Sequence, residues 1–393
     1  MGKKLKKDYF QLNNNMSTFD FRFIAFYLPQ FYPIPENNKW WGEGFTEWFN
    51  VVKTKPRFKG HYQPRLPGEL GFYDLRVFEV KEQQAILAKE YGISGFAYYH
   101  YWFSGKRVLN RPLDDMIETN KPDFPFCLVW ANESWSRRWG PTYGSRSLNK
   151  NIGETLIEQK YGKNDDLNHI RWLLKIFTHK NYIRVDGKPV FIIYRPSLLP
   201  NLKKTAEIWR KEAVKFGFKG LYLCLVHSFP EDYIDPNLVG FDAAIGFVPD
   251  IKIRNSVIKE TKGLNYLNKV IKYGFSSSSE ILIPYERIIK ESLKSISSEY
   301  KKYPCIMPNW DNSSRRSVGA TIYINSTPDR YKYWLIKTMQ KFRFTNKEEN
   351  FIFINSWNEW AEGSNLEPDL KFRRSYLDAH KQGIIDFNDK LKK

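Results

Sequence analysis

Eight short apolar runs, spread over almost the whole chain and separated by helical or polar stretches, set the tightest limit on its fold. They occupy residues 23–28, 95–101, 126–131, 190–194, 222–226, 243–248, 305–308 and 351–355. Each is apolar at nearly every position instead of alternating, which is the pattern of a parallel strand covered on both faces. Amphipathic stretches at 77–91, 112–119, 166–178, 203–216, 285–297 and 329–342 lie between most of them, and a last one at 374–386 closes the pattern. Strands alternating with helices predict an α/β fold with a parallel sheet. Eight such units favour a closed (β/α)8 TIM-type barrel, and the glycine-rich phosphate motifs of open doubly wound sheets are missing. The connection at 228–241 is short and proline-bearing, so the barrel is expected to be irregular there, with long loops at the C-terminal face. We read residues 1–17 as a polar tail and 18–393 as a single barrel domain. A lysine-rich insertion near 251–280, containing Ser276 to Ser279, reads as a loop or small subdomain.

A barrel of this type builds its site from the C-terminal ends of its strands. Polar and aromatic residues collect at those places. The first run ends in Tyr27 and Gln30, the second in His100 and Trp102, and the third in Trp130, Asn132, Glu133 and Trp135, with Arg137 and Arg138 beyond. The later ends carry Tyr194 and Arg195, His227, Trp310 and Asp311, and finally Trp357, Asn358, Glu359 and Glu362. The long first loop adds Trp41, Glu43, Glu47 and Trp48 among flexible glycines. Each residue alone has a plain structural reading. His100 and His227 can be core histidines, Asn132-Glu133 a helix start with its first-turn acid, and the tryptophans barrel caps or a self-packed loop. Coincidence at most of the strand ends is much less easily explained, so we take the set as candidate substrate-binding residues.

Glu359 and Glu362 carry the chemistry in this reading. Two carboxylates among aromatic rings at a strand end suit glycosidic-bond chemistry, where one acid must hold a proton at neutral pH while the other does not. The 13 Trp, 24 Tyr and 29 Phe exceed what packing alone requires, and flat sugar faces are a use for them.

The balance of 62 Lys+Arg against 43 Asp+Glu gives a formal charge of +19. A lysine-rich surface explains it simply, and attraction to an anionic membrane or glycan carrier is the alternative. No nucleic-acid motif stands out, so nucleic acid is not an expected partner. Cys127, Cys224 and Cys305 sit singly in apolar runs, as core residues of a reduced compartment do. No metal-ligand spacing occurs, and neither metal nor cofactor is expected. The basic start at residues 2–7 is followed by no apolar stretch, and Lys6 breaks the myristoylation pattern. These features predict a cytoplasmic protein, at most peripheral to a membrane.

The segments Ala25-Phe26-Tyr27-Leu28-Pro29-Gln30-Phe31-Tyr32, Trp40-Trp41-Gly42-Glu43-Gly44-Phe45-Thr46-Glu47-Trp48, Trp130-Ala131-Asn132-Glu133-Ser134-Trp135 and Trp357-Asn358-Glu359-Trp360-Ala361-Glu362-Gly363 resemble the WbsX family. These are glycoside hydrolase family 99-like proteins encoded with enzymes of bacterial surface-polysaccharide assembly, and the resemblance runs from about residue 23 to 380. It implies a barrel related to endo-α-mannosidases and an oligosaccharide or carrier-linked glycan as substrate. It also implies that Glu359 assists a sugar 2-hydroxyl in attacking the anomeric carbon, while Glu362 protonates the leaving oxygen. A carboxylate nucleophile fits the same spacing. Ala361 departs from the mannosidases, which have His there. The alternatives to a glycosidase are a glycosyltransferase of polysaccharide assembly and a noncatalytic carbohydrate-binding barrel.

Overall fold

The computed structural model describes residues 21–137, 154–261, 280–342 and 346–392. Arg138, the N-terminal tail and the Ser276 to Ser279 patch lie outside them. Eight parallel strands form the barrel: β1 (Arg22–Tyr27), β2 (Gly95–Phe103), β3 (Phe126–Trp130), β4 (Lys188–Ile193), β5 (Tyr222–His227), β6 (Ala243–Gly246), β7 (Lys302–Ile306) and β8 (Phe351–Ile354). The ring closes because β1 pairs on one side with β2, with Ala25 opposite Phe96, and on the other with β8, with Ile24 opposite Phe353. Closure leaves the barrel itself without a free strand edge. Phe23 to Tyr27, Phe126 to Trp130 and Phe351 to Ile354 are all buried, as the unbroken apolar runs require.

The outer layer consists of α1 (Phe78–Glu90), α2 (Arg111–Thr119), α3 (Lys163–Phe177), α4 (Leu202–Phe216), α5 (Ile251–Thr261), α6 (Tyr285–Lys294), α7 (Pro328–Lys341) and α8 (Ser375–Leu391). Between β5 and β6 two short 3-10 turns, Pro230–Asp232 and Pro236–Val239, replace a helix, so the barrel is irregular where the sequence predicted it. The insertion near 251–280 begins as helix α5, and residues 262–279 are outside the described set.

Most strand boundaries shift by one to three residues from expectation, and two of the shifts have a visible cause. β2 runs two residues further, to Phe103, because Lys106–Val108 folds back on it antiparallel. β7 begins earlier, at Lys302, where its first residues pair with Ala244, Ile245 and Gly246 of β6. Lys302 and Pro304 interrupt the apolar pattern there, which hid the strand's start. A separate parallel pair, Ile281–Pro284 with Thr321–Ile324, was not foreseen; it braces the loop that follows β7.

Candidate active site at the barrel mouth

After β8 the chain makes a tight hairpin. Asn358–Glu359 pairs antiparallel with Ser364–Asn365 around the 3-10 turn Trp360–Glu362. Gly363 closes that turn at φ +59°, where a Cβ would stand 3.0 Å from both Asp311 Cβ and Arg65 Nε, so only glycine fits. The Ser356 hydroxyl accepts from the Glu359 amide at 2.8 Å and donates to the Ser364 carbonyl at 2.6 Å, tying the base of the hairpin.

This hairpin delivers Glu359 and Glu362 onto one guanidinium. Arg315, from the loop after β7, donates from Nη2 to Glu359 Oε1 at 2.7 Å and from Nη1 to Glu362 Oε1 at 2.6 Å. Its Nε donates to Glu47 Oε1 at 2.8 Å, bringing in an acid from the first loop. A planar fork of donors can serve three carboxylates in three directions, which a point-charge ammonium cannot. Burial pushes the Glu359 carboxyl up to about 8, with Arg315 opposing and the charges of Glu362 and Glu47 adding to the rise. Burial also raises Glu362, again against Arg315. Glu359 Oε2 is buried and has no hydrogen-bond partner among the described residues.

Below the carboxylates the barrel interior is aromatic. Tyr99 packs against Phe26 at 5.9 Å and Tyr194 at 5.9 Å, and Tyr194 against Phe247 at 5.5 Å between ring centres. Burial raises both tyrosine hydroxyls, and the charges of Glu359 and Glu362 add to it, so the rings lie within electrostatic reach of the pair. Tyr101 senses Glu359 and Glu47 in the same way.

The rim follows. Trp135 meets Tyr101 edge-on at 5.2 Å and Trp40 at 6.0 Å. Trp41 lies under the Arg137 guanidinium at 5.6 Å. Arg195 pairs with Glu133 at 2.6 Å and with buried Asp232 at 2.8 Å. Burial raises the Glu133 carboxyl and Arg195 opposes it. The Gln30 carbonyl accepts from the Glu47 amide at 3.0 Å, which folds the first loop back over β1. Trp310 is buried and its carbonyl receives the Tyr323 amide at 2.8 Å. Glu43 is exposed and bonded to Asn38 within its own loop at 2.6 Å.

Other candidates pack into the structure around the mouth, those on strands because side chains alternate along a strand. Tyr27 donates to Gln84 on α1 at 2.7 Å. His100 bonds His169 on α3 at 2.9 Å and Trp102 donates to Asp165 at 2.8 Å. Trp130 packs on His169 and on Trp209 of α4, and Trp357 on Phe96. His227 bonds the Ile234 carbonyl at 3.1 Å and stacks on Tyr233. Trp48 is buried among Phe31, Tyr73 and Trp360, with its indole donating to the Tyr73 carbonyl at 2.9 Å. These seven belong to the packing around the site. On β2 the mouth-facing residues are Tyr99 and Tyr101, one step out of register with the pair expected.

Asn132 and Asn358 each tie two neighbouring strand ends together. Asn358 accepts from the Leu28 amide at 2.7 Å and donates to the Leu28 carbonyl at 3.0 Å, bridging β8 to β1. Asn132 makes the same pair of bonds, each 2.8 Å, with the backbone of Arg195 and bridges β3 to β4. In Asn358→Asp a carboxylate oxygen would face the Leu28 carbonyl, and we expect a loss of about 1–3 kcal/mol in urea unfolding. Asp311 is also structural: it accepts from His61 at 2.8 Å and Gln63 at 2.7 Å, and its amide donates to the Glu362 carbonyl at 2.7 Å. His61 Nδ1 already accepts the Arg57 amide, which leaves Nε2 to donate.

Glu367 is a buried acid that sequence reading missed. It accepts from Trp360 at 2.7 Å, Tyr73 at 2.8 Å and Gln84 at 2.6 Å, and burial raises it from 4.5 to about 7. A raised carboxyl stabilises the fold when protonated, so its contribution is full below its unfolded value and is lost as pH climbs through the folded one. A Glu367→Gln variant should therefore show a flatter urea midpoint between about pH 5 and about pH 8 than the parent protein.

A profile of the family described as Glycosyltransferase WbsX matches residues 23–380. The chain belongs to that family. Two strains of Xanthomonas campestris pv. campestris contain a relative, the uncharacterized protein WxcX, 40% identical over 363 residues that make up 92% of this chain. Those residues are 49% of WxcX, so this WbsX chain spans about half the length of the curated relatives it matches. Among solved structures, a glycoside hydrolase-like protein superposes with TM-score 0.56 at 12% identity, covering 97% of this chain and 99% of that one. The family 99 endo-α-mannosidase of Bacteroides thetaiotaomicron superposes with TM-score 0.54 at 15% identity, covering 95% and 99%. These similarities establish a shared fold for the WbsX chain. No helix among the described residues is long and apolar enough to cross a membrane. Among the described residues no group of three or more His, Cys, Asp or Glu side chains is placed to hold a metal ion.

Proposed function

We propose that this WbsX protein cleaves or transfers an α-linked glycosyl unit in surface-polysaccharide assembly, with Glu359 and Glu362 as its catalytic pair. The observation that carries this reading is the shared guanidinium: two acids from one hairpin, both raised by burial, meet at the C-terminal mouth above tyrosine rings. Such a pair titrates as a unit and holds one proton over a range of pH.

In the free protein Glu359 Oε2 is buried and, among the described residues, makes no hydrogen bond. A sugar hydroxyl arriving there as a donor favours the ionised form and sends the proton to Glu362. Glu359 then takes the hydroxyl proton as the sugar oxygen attacks the anomeric carbon, and Glu362 delivers its proton to the departing oxygen. In the second half Glu362 removes a proton from water or an acceptor hydroxyl, which opens the internal ring. Glu359 returns the proton to the sugar oxygen. Two inversions at the anomeric carbon give net retention. Trp41 and Trp135 at the rim suit the apolar faces of flanking sugars.

The +19 charge supports a substrate presented on an anionic carrier at a membrane surface, with the protein on the cytoplasmic side. Binding to anionic vesicles is expected to fall steeply as salt rises and to be absent on neutral vesicles, measured by co-sedimentation. For the activity itself, the test is a panel of α-linked oligosaccharides with NMR of the first anomeric product. Turnover with retained configuration supports the reading; an inverted product removes the two-step scheme.

A further inference from the structure

The guanidinium that joins the carboxylates is itself held by a second one. Arg57, in the first loop, donates from Nη1 to the Ser317 carbonyl at 2.9 Å and from Nη2 to the Ser313 carbonyl at 2.7 Å, and it also reaches the Arg316 carbonyl. Its Nη1 pairs with Glu280 at 2.7 Å, and the other Glu280 oxygen accepts the Ala320 amide at 2.6 Å. Arg57 and Glu280 thus stitch both ends of the segment that carries Arg315. The same stretch of the first loop supplies His61, whose partner Asp311 donates its amide to the Glu362 carbonyl. One loop therefore grips Arg315 from behind and the hairpin turn from the side.

We propose that Arg315 is the positioning residue that sets how the carboxylate pair shares its proton, and that Arg57 with Glu280 forms a remote clamp that holds it to that task. The assignment rests on Glu359 and Glu362 being the working pair, and extends it to three residues on other loops. All three directional bonds of the Arg315 guanidinium described above end on carboxylates. A residue serving only to fill space would not need that geometry, and a lysine could not reproduce it. The other groups facing the pair are Glu47 from the first loop, Tyr99 and Tyr101 from β2, Tyr194 just after β4 and Arg316 beside Arg315. Of these only Arg316 is cationic, and it acts on Glu362 after Arg315. Removing Arg315 therefore leaves like charges dominant.

The test reads the carboxylates directly, in the free protein. Side-chain carboxyl carbons of 13C-labelled glutamate are followed by NMR through a pH titration, with Glu359→Gln and Glu362→Gln supplying the assignments. In Arg315→Gln both midpoints should rise, by about one pH unit or more, a tenfold change in proton affinity. Arg315→Lys should fall between parent and Gln. Arg57→Gln should move the midpoints in the same direction by less, because it loosens the loop without removing the charge. Should Arg315→Gln fail to fold, the half-buried Arg57 position decides. Unmoved midpoints in Arg57→Gln, together with a lower melting temperature, would reduce the clamp to an ordinary loop brace and overturn the proposal. The result does not depend on finding a glycan that turns over. Where a substrate is found, both limbs of its pH profile should move to higher pH in Arg315→Gln.

Discussion

Glu362→Gln is expected to lower kcat/KM on a responsive α-linked glycan by about 10²–10⁴-fold, the range for loss of a positioned proton donor, if Glu362 is the acid proposed above. Glutamine keeps the shape of the side chain and its contact with Arg315 Nη1 through the amide oxygen. The hairpin therefore stays in place while the proton disappears, so the loss should fall on kcat with KM little changed. A substrate whose leaving group needs no proton, such as an aryl glycoside with an acidic phenol, should recover most of the first step. Glu359→Gln should be equally damaging without that rescue, since the task proposed for it is on the sugar side of the bond. Equal turnover by parent and Glu362→Gln would refute the acid assignment outright.

Asp311→Ala is expected to lower the unfolding free energy by about 3–5 kcal/mol, as read from urea denaturation, because it removes a buried charge on which three donors converge. His61, Gln63 and the Ser313 amide all give their hydrogens to this carboxylate, and those three hydrogen bonds hold it well inside the protein. Despite burial, its carboxyl sits below the ordinary range, with His61 and Arg65 among the causes. Activity should fall as well, because Asp311 anchors the turn that presents Glu362. Stability matching the parent would mean that the first loop does not depend on this contact.

The strands could be read from the chain because a buried parallel strand writes itself as an unbroken apolar run. That signal failed where chemistry broke the run, at Lys302 and Pro304. Which face of β2 looks inward could not be read, since Tyr98 to Trp102 is aromatic or polar at every position and offers no alternation to count. The choice of His100 and Trp102 over Tyr99 and Tyr101 followed from that. Glu359 and Glu362 stood out because they lie three residues apart at a strand end. Arg315 did not, because its meaning comes from contacts 44 and 268 positions away in the chain. Its only local mark is a pair of arginines in a polar loop just beyond Trp310 and Asp311.

The dipeptide Asn-Glu occurs at the ends of both β3 and β8, and in each case the asparagine amide bonds one peptide of the adjoining strand end through both its oxygen and its nitrogen. Such an amide acts as an extra rung, and it fastens two of the eight seams of the barrel one residue ahead of an acid. Loops beyond a fastened seam can be lengthened, shortened or exchanged while the neighbouring glutamate keeps its place. An exchange meant to alter what the mouth admits belongs after β3; after β8 it would remove the hairpin that carries Glu362, and at the β5 to β6 seam, where 3-10 turns replace the helix, it would act on the barrel wall itself.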